Sequence, residues 1–169
     1  MELKLISWNI RGISSNSKIR MMKGKIIFEH PSLLMLQETK ASEKKLCNFI
    51  FICWKKAQVV AIDARGNSGG LAFASDPDIL ALEGFFSSPH SLLGRFRIIG
   101  SNSTSMITNV YAPQPMDQKL RFLNYLSWLG QQHQDQHYII GGDFNIITSL
   151  MEKKAAPGGS TGKAKPSAL

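Results

Sequence analysis

Four apolar runs in this 169-residue chain end in polar groups suited to holding a hard metal ion. The first run ends at Asn9, the second at Gln37-Glu38-Thr39, a third at Asn109-Val110-Tyr111, and the last at Asp143 and Asn145. Two carboxylates and two carboxamides placed together make a hard oxygen-donor site, suited to Mg²⁺ or Mn²⁺ and unsuited to zinc. Glu38 is the main candidate ligand. Asp143 and Asn145 lie two apart, so on extended backbone they point the same way and can hold one small group. Singly, each has an ordinary reading. Asn9 before Arg11-Gly12 suits a turn, Glu38 a solvated surface, Gly141-Gly142-Asp143 a turn, and Tyr111 before Ala112-Pro113 a core. Jointly, four polar strand ends in one domain favour a site, because ligand sites in layered α/β sheets gather at strand ends.

The elements that must position these groups follow from periodicity. Residues 3–10 alternate partly and read as a strand, and 11–16 as a turn-rich loop with Asn16 or Ser17 placed to cap a helix. From Lys18 to Glu29, Ile19, Met22, Ile26 and Ile27 recur at helical spacing until Pro31 stops the pattern. The continuous apolar run Leu33 to Leu36 then reads as a buried strand closing a β-α-β unit. A short helix is expected over 42–50, and a hairpin from 58–62 through the 65–70 turn into 71–74. Strands are expected over 79–85, 95–99 and 105–110. Residues 117–132 read as an amphipathic helix with a Leu120, Leu123, Leu126, Leu129 stripe, followed by a last strand over 137–140.

Composition bounds the class. Hydrophobic residues make up 43% and charged residues 19%, a globular balance. The apolar runs are too short for a membrane span, and Glu2, Lys4, Trp8 and Arg11 do not suit a secretory h-region. Cys47 and Cys53 have neither zinc spacing nor a Cys-rich context, so an intracellular setting, nucleus or cytoplasm, is expected. The net charge of +8 is polarised: residues 1–25 hold six basic groups against Glu2, while 153–169 hold four Lys and no acid. Lys18, Arg20, Lys23 and Lys25 either form a solvated helix face or meet an anionic partner. After Met151 the Lys/Ala/Gly/Pro/Ser composition cannot build a core, so a domain over 1–153 and a flexible tail over 154–169 are expected.

Five segments in order carry a resemblance: Ile6-Ser7-Trp8-Asn9-Ile10-Arg11-Gly12, Leu36-Gln37-Glu38-Thr39-Lys40, Gly69-Gly70-Leu71-Ala72, Asn109-Val110-Tyr111-Ala112-Pro113 and Gly141-Gly142-Asp143-Phe144-Asn145. The chain resembles the endonuclease/exonuclease/phosphatase superfamily, and in wording most resembles endonuclease domains of plant LINE-type (non-LTR) retrotransposons. The resemblance implies a four-layered α/β sandwich, two face-to-face sheets with outer helices. It implies Mg²⁺ (or Mn²⁺) held by Glu38 with Asn9 beside it, and Tyr111 on the scissile phosphate. Asp143 would orient or deprotonate the attacking water, and Asn145 would hold phosphate oxygens. The implied reaction is in-line hydrolysis of a DNA phosphodiester, leaving 3′-hydroxyl and 5′-phosphate ends. Arg11, the Lys18–Lys25 basic helix with Arg20 and Lys23, and Lys40 would then hold the DNA backbone.

The family pattern continues to a further Asp and a Ser-Asp-His motif, and nothing after Asn145 matches them. His30, His90, His133 and His137 all precede Asp143. The expected sandwich is therefore truncated at its C-terminal side, with unpaired edges in the second sheet. Two other readings stay open: a catalytically dead remnant that at most binds nucleic acid, and a phosphatase or exonuclease on the same fold.

Overall fold

The computed structural model describes residues 2–64, 69–101, 103–134 and 136–146. The elements in chain order are β1 (Leu5–Asn9), α1 (Asn16–Glu29), β2 (Leu33–Gln37), α2 (Glu43–Cys53), β3 (Gln58–Ile62) and β4 (Leu71–Ser75). There follow β5 (Leu80–Ser88), β6 (Ser91–Ile98), β7 (Thr104–Tyr111), α3 (Met116–Gln132) and β8 (His137–Asp143). They form two four-stranded sheets, ordered β1-β2-β4-β3 and β5-β6-β7-β8. Each sheet is mixed: β1 runs parallel to β2 and β7 to β8, and the other pairings are antiparallel.

The expected four layers are present. One apolar cluster holds α1 and α2 against the outer face of the first sheet, through Met22, Leu46, Phe49 and Ile50 on Leu34 and Leu36. A second fills the space between the sheets with Leu33, Met35, Leu71, Phe73, Leu80, Leu92, Phe96 and Ile107. There Phe73 and Phe96 meet edge to face at 5.3 Å, the arrangement their ring quadrupoles favour. Two smaller clusters seat α3 on the outer face of the second sheet. Strand β2 is buried on both faces, which explains its unbroken apolar sequence.

Several local expectations are corrected. Ser15, not Asn16 or Ser17, is the N-cap of α1. Ile27 is 70% exposed and lies off the buried face of α1. In α3 the buried residues are Phe122, Leu126 and Leu129, while Leu120 is 57% exposed, so the stripe runs through Phe122 rather than Leu120. Strand β8 continues through Gly141-Gly142 to Asp143, where a turn was the alternative. The 65–68 turn and the 154–169 tail lie outside the described residues. No described helix is long and apolar enough to cross a membrane.

Topology gathers the polar strand ends. Asn9 and Gln37 are register partners at the C-terminal ends of parallel β1 and β2. Tyr111 and Asp143 are register partners at the ends of parallel β7 and β8. Because β1 packs over β8 and β2 over β7 and β8, the two pairs of ends meet across the sandwich.

Candidate active site

Asn9 and Asp143, 134 residues apart in sequence, are bonded directly: Asn9 Nδ2 donates to Asp143 Oδ2 at 2.6 Å. The Asn9 carbonyl oxygen in turn accepts the Arg11 N–H, so both ends of the carboxamide are in use. Asp143 Oδ1 accepts the backbone N–H of Asn145 at 2.9 Å. The chain turns there, with Asn145 at φ 51°, so Asp143 and Asn145 do not project together from an extended strand. Asn145 instead donates its side-chain amide to Ala112 O, and Lys119 Nζ of α3 caps Asn145 O, both at 2.6 Å. This lysine holds the turn and was not legible from the motif.

Glu38 sits at φ 54° and Lys40 at φ 51°, and their side chains pair at 2.8 Å. Among the described non-glycine residues only Arg11, His30, Glu38, Lys40 and Asn145 have positive φ, and four of these five surround this site. Each costs on the order of 1–3 kcal/mol unless its surroundings compensate, and such residues cluster at functional sites. Here the compensation is visible. Gly12 N–H bonds to Glu38 O at 2.8 Å, while Thr39 and Lys40 donate their N–H groups to Gly70 O and Gly69 O. Thr39 is fully buried under Gly70, and a Cβ at Gly70 would collide with its hydroxyl. That hydroxyl has no hydrogen-bond partner among the described residues.

Beneath the site lies a buried polar strap. Gln37 Nε2 donates to Asn109 Oδ1 at 2.6 Å, and Asn109 Nδ2 donates to Leu36 O and Ala72 O. Gln37 also reaches Ser7 Oγ. Three strands of one sheet are thereby tied to β7 of the other, directly under the strand ends. Buried amides of this kind must be satisfied, and these are.

Tyr111 senses the whole group. Burial first, then the Glu38 and Asp143 carboxylates, push its phenol above the ordinary range, with Lys40 and Arg11 opposing. The phenol therefore stays a hydrogen-bond donor at neutral pH. The Glu38 carboxylate raises the Lys40 ammonium too, mainly through their hydrogen bond. His90, absent from the motif reading, flanks the site: its Nδ1 meets the Tyr111 carbonyl oxygen at 3.1 Å and so must carry the proton.

The basic residues separate into two groups. Arg11 and Lys40 line a groove of about 520 Å³ beside the site, together with Lys45. Lys45 was missed because it lies in a helix with no motif. The α1 residues do not converge there. Lys18 is bonded to Ile10 O, Lys25 pairs with Glu29, and Arg20 and Lys23 are exposed.

Among the described residues no cluster of three His, Cys, Asp or Glu forms a metal cage. Mg²⁺ needs none, because it is commonly held by one or two carboxylates with waters and substrate phosphates. Glu38, with its side chain 17% exposed and its loop clamped on both sides, fits that role.

The family model for the endonuclease/exonuclease/phosphatase family matches residues 6–160. A search of curated proteins finds no match. Among solved structures, the D. rerio TDP2 complexed with single strand DNA product has a TM-score of 0.67 at 13% identity, covering 89% of this chain and 64% of that one. The AP endonuclease from Archaeoglobus fulgidus has a TM-score of 0.59 at 24% identity, with 89% and 60% covered. The mannosyl-6-phosphatase Bt3783 of Bacteroides thetaiotaomicron has a TM-score of 0.66 at 13% identity, with 88% and 68% covered. The chain thus spans 60–68% of the length of these three structures, and the likeness is one of fold. With a match over most of its length and the matched motifs meeting at one end of the sandwich, this chain belongs to the endonuclease/exonuclease/phosphatase family.

Proposed function

We propose that this chain is a divalent-metal-dependent phosphodiesterase of endonuclease type that nicks DNA, derived from a LINE-type retrotransposon. The observation that carries the reading is the meeting of Asn9, Glu38, Tyr111 and Asp143 at one end of the sandwich, around strained but clamped backbone. Glu38, with Asn9 beside it, would hold Mg²⁺ (or Mn²⁺), which supplies charge stabilisation to a transferring phosphoryl group when bound. Asp143, held by two donors, keeps lone pairs with which to orient and deprotonate an attacking water. The Tyr111 phenol donates to a phosphate oxygen. Asn145 acts through its backbone, since its amide is engaged with Ala112, and keeps Asp143 in place. Arg11, Lys40 and Lys45 give the strand a cationic track. The retrotransposon origin rests on the wording of the five motif segments.

A second reading, nucleic-acid binding without cleavage, is favoured by the Lys40 ammonium seated on Glu38. Plasmid nicking with and without Mg²⁺ separates the two. Metal-dependent nicking that Glu38→Ala reduces by about 100-fold or more supports the enzyme. Salt-sensitive DNA binding with no nicking supports the binding module.

A further inference from the structure

We propose that the groove between the β5–β6 turn and α3 is a stacking site for an unpaired nucleobase of a DNA strand. This rests on the phosphodiesterase reading and narrows its substrate to DNA with single-stranded or extruded bases beside the cut.

The groove begins at the site. His90, whose ring is bonded to the Tyr111 carbonyl, meets Phe122 edge to face at 5.8 Å. Phe122 lies 6.2 Å from Tyr125, and Tyr125 stacks on Trp128 at 6.2 Å with ring planes 29° apart. Four aromatic rings therefore step away from the candidate active site along one face of α3. Phe122 is in the core, Tyr125 is half-buried, and Trp128 is 53% exposed, so the series runs from packing to surface. Pro89, Pro113, Phe122 and Tyr125 give the groove apolar walls around about 350 Å³, and Arg121 lies at its edge.

The chemistry of the lining selects the occupant. A nucleobase offers two flat apolar faces and a polar rim, and is joined through its deoxyribose to a phosphate. The proline and aromatic walls take the base, and the exposed Arg121 guanidinium donates to the phosphate oxygens. An apolar peptide side chain would use the walls and leave Arg121 without a purpose. Paired duplex DNA keeps its base faces stacked inside, so only an unpaired base can enter. The cationic groove of Arg11, Lys40 and Lys45 involves different loops, so the strand has a separate phosphate track there.

The test uses the full chain, titrated with a thymidine homo-oligonucleotide and with a duplex of equal length, followed by anisotropy of labelled DNA. Tyr125→Leu keeps an apolar side chain in the packing and removes the ring; Tyr125→Phe keeps the ring. The expected result is about tenfold weaker oligonucleotide binding for Tyr125→Leu and for Arg121→Gln, with wild-type binding for Tyr125→Phe. Duplex binding should stay within about twofold for all three. Unchanged oligonucleotide binding in Tyr125→Leu, or equal losses for oligonucleotide and duplex, would overturn the site. Parallel nicking assays keep the two claims apart. Tyr125-dependent oligonucleotide binding without nicking retains this site and removes the phosphodiesterase reading, while nicking with Tyr125-independent binding does the reverse.

Discussion

At the residue scale, the candidate site depends on a few side chains whose freedom has been removed. Asn109 is the clearest: fully buried, it accepts from Gln37 and donates to two carbonyls on different strands. Asn109→Leu keeps the volume but leaves the Gln37 amide and the Leu36 and Ala72 carbonyls short of a partner. A loss of about 3 kcal/mol in urea unfolding is expected, with lost activity following the displaced strand ends. Tyr111 gives a pH prediction. Its folded pKa is raised, so the folded state holds the phenol proton more tightly than the unfolded chain, whose tyrosines titrate near about 10. The associated stability is complete below that pH and is lost as pH rises through the folded value. Tyr138 is raised as well, chiefly by burial. Tyrosinate absorbance should therefore show two late-titrating tyrosines, and Tyr111→Phe should remove one of them. Glu38 was legible in the sequence as the principal acid. Its left-handed backbone and its lysine partner were not, because positive φ at a glutamate is imposed by the Gly12 and Gly69–Gly70 clamps from distant segments.

At the element scale, alternation and helical spacing located every strand and helix to within a few residues. The β-α-β reading of the first strand, helix and second strand anticipated the parallel β1–β2 pair. Nothing local showed that β7 and β8 are also parallel, the arrangement that brings Tyr111 and Asp143 to the same end as Asn9 and Gln37. Pairing of that kind joins segments far apart in the chain, and local periodicity carries no information about it. The α3 stripe was misplaced for a similar reason. Leu120 fits the helical period, but the sheet receives Phe122. Glycines test the elements directly. Gly142, at φ 142°, lies so close to β7 that a Cβ would collide with the Val110 backbone. Gly142→Ala should cost about 3 kcal/mol and displace Asp143. Gly24 in the middle of α1 has open space at its Cβ position, so Gly24→Ala should instead stabilise the chain by about 1 kcal/mol. Thermal denaturation of both variants checks the contrast.

At the scale of the whole molecule, the charge and the open edges take on specific places. The +8 balance suggested an anionic partner, yet the site-facing cations are Arg11, Lys40 and Lys45 rather than the full basic face of α1. Among the described residues, strands β1 and β8 are the outer strands of their sheets and pack against each other, so one side of the sandwich brings these two edges together. Ile139 on β8 shares a face with Gly141, whose missing side chain makes room for Met35 of the inter-sheet core, and yet Ile139 is 39% exposed. An apolar residue on an edge favours self-association. Ile139→Lys should reduce concentration-dependent aggregation, measured by light scattering, while changing stability by less than about 1 kcal/mol.

The most direct measurement of the central claim is relaxation of supercoiled plasmid at neutral pH by the wild-type chain and by Asp143→Asn, with Mg²⁺ present or chelated. If Asn9, Glu38, Tyr111 and Asp143 form one hydrolytic site, the wild type nicks only with Mg²⁺, and Asp143→Asn is slower by about 100-fold or more. Equal nicking by both proteins, or nicking that persists in chelator, would contradict it.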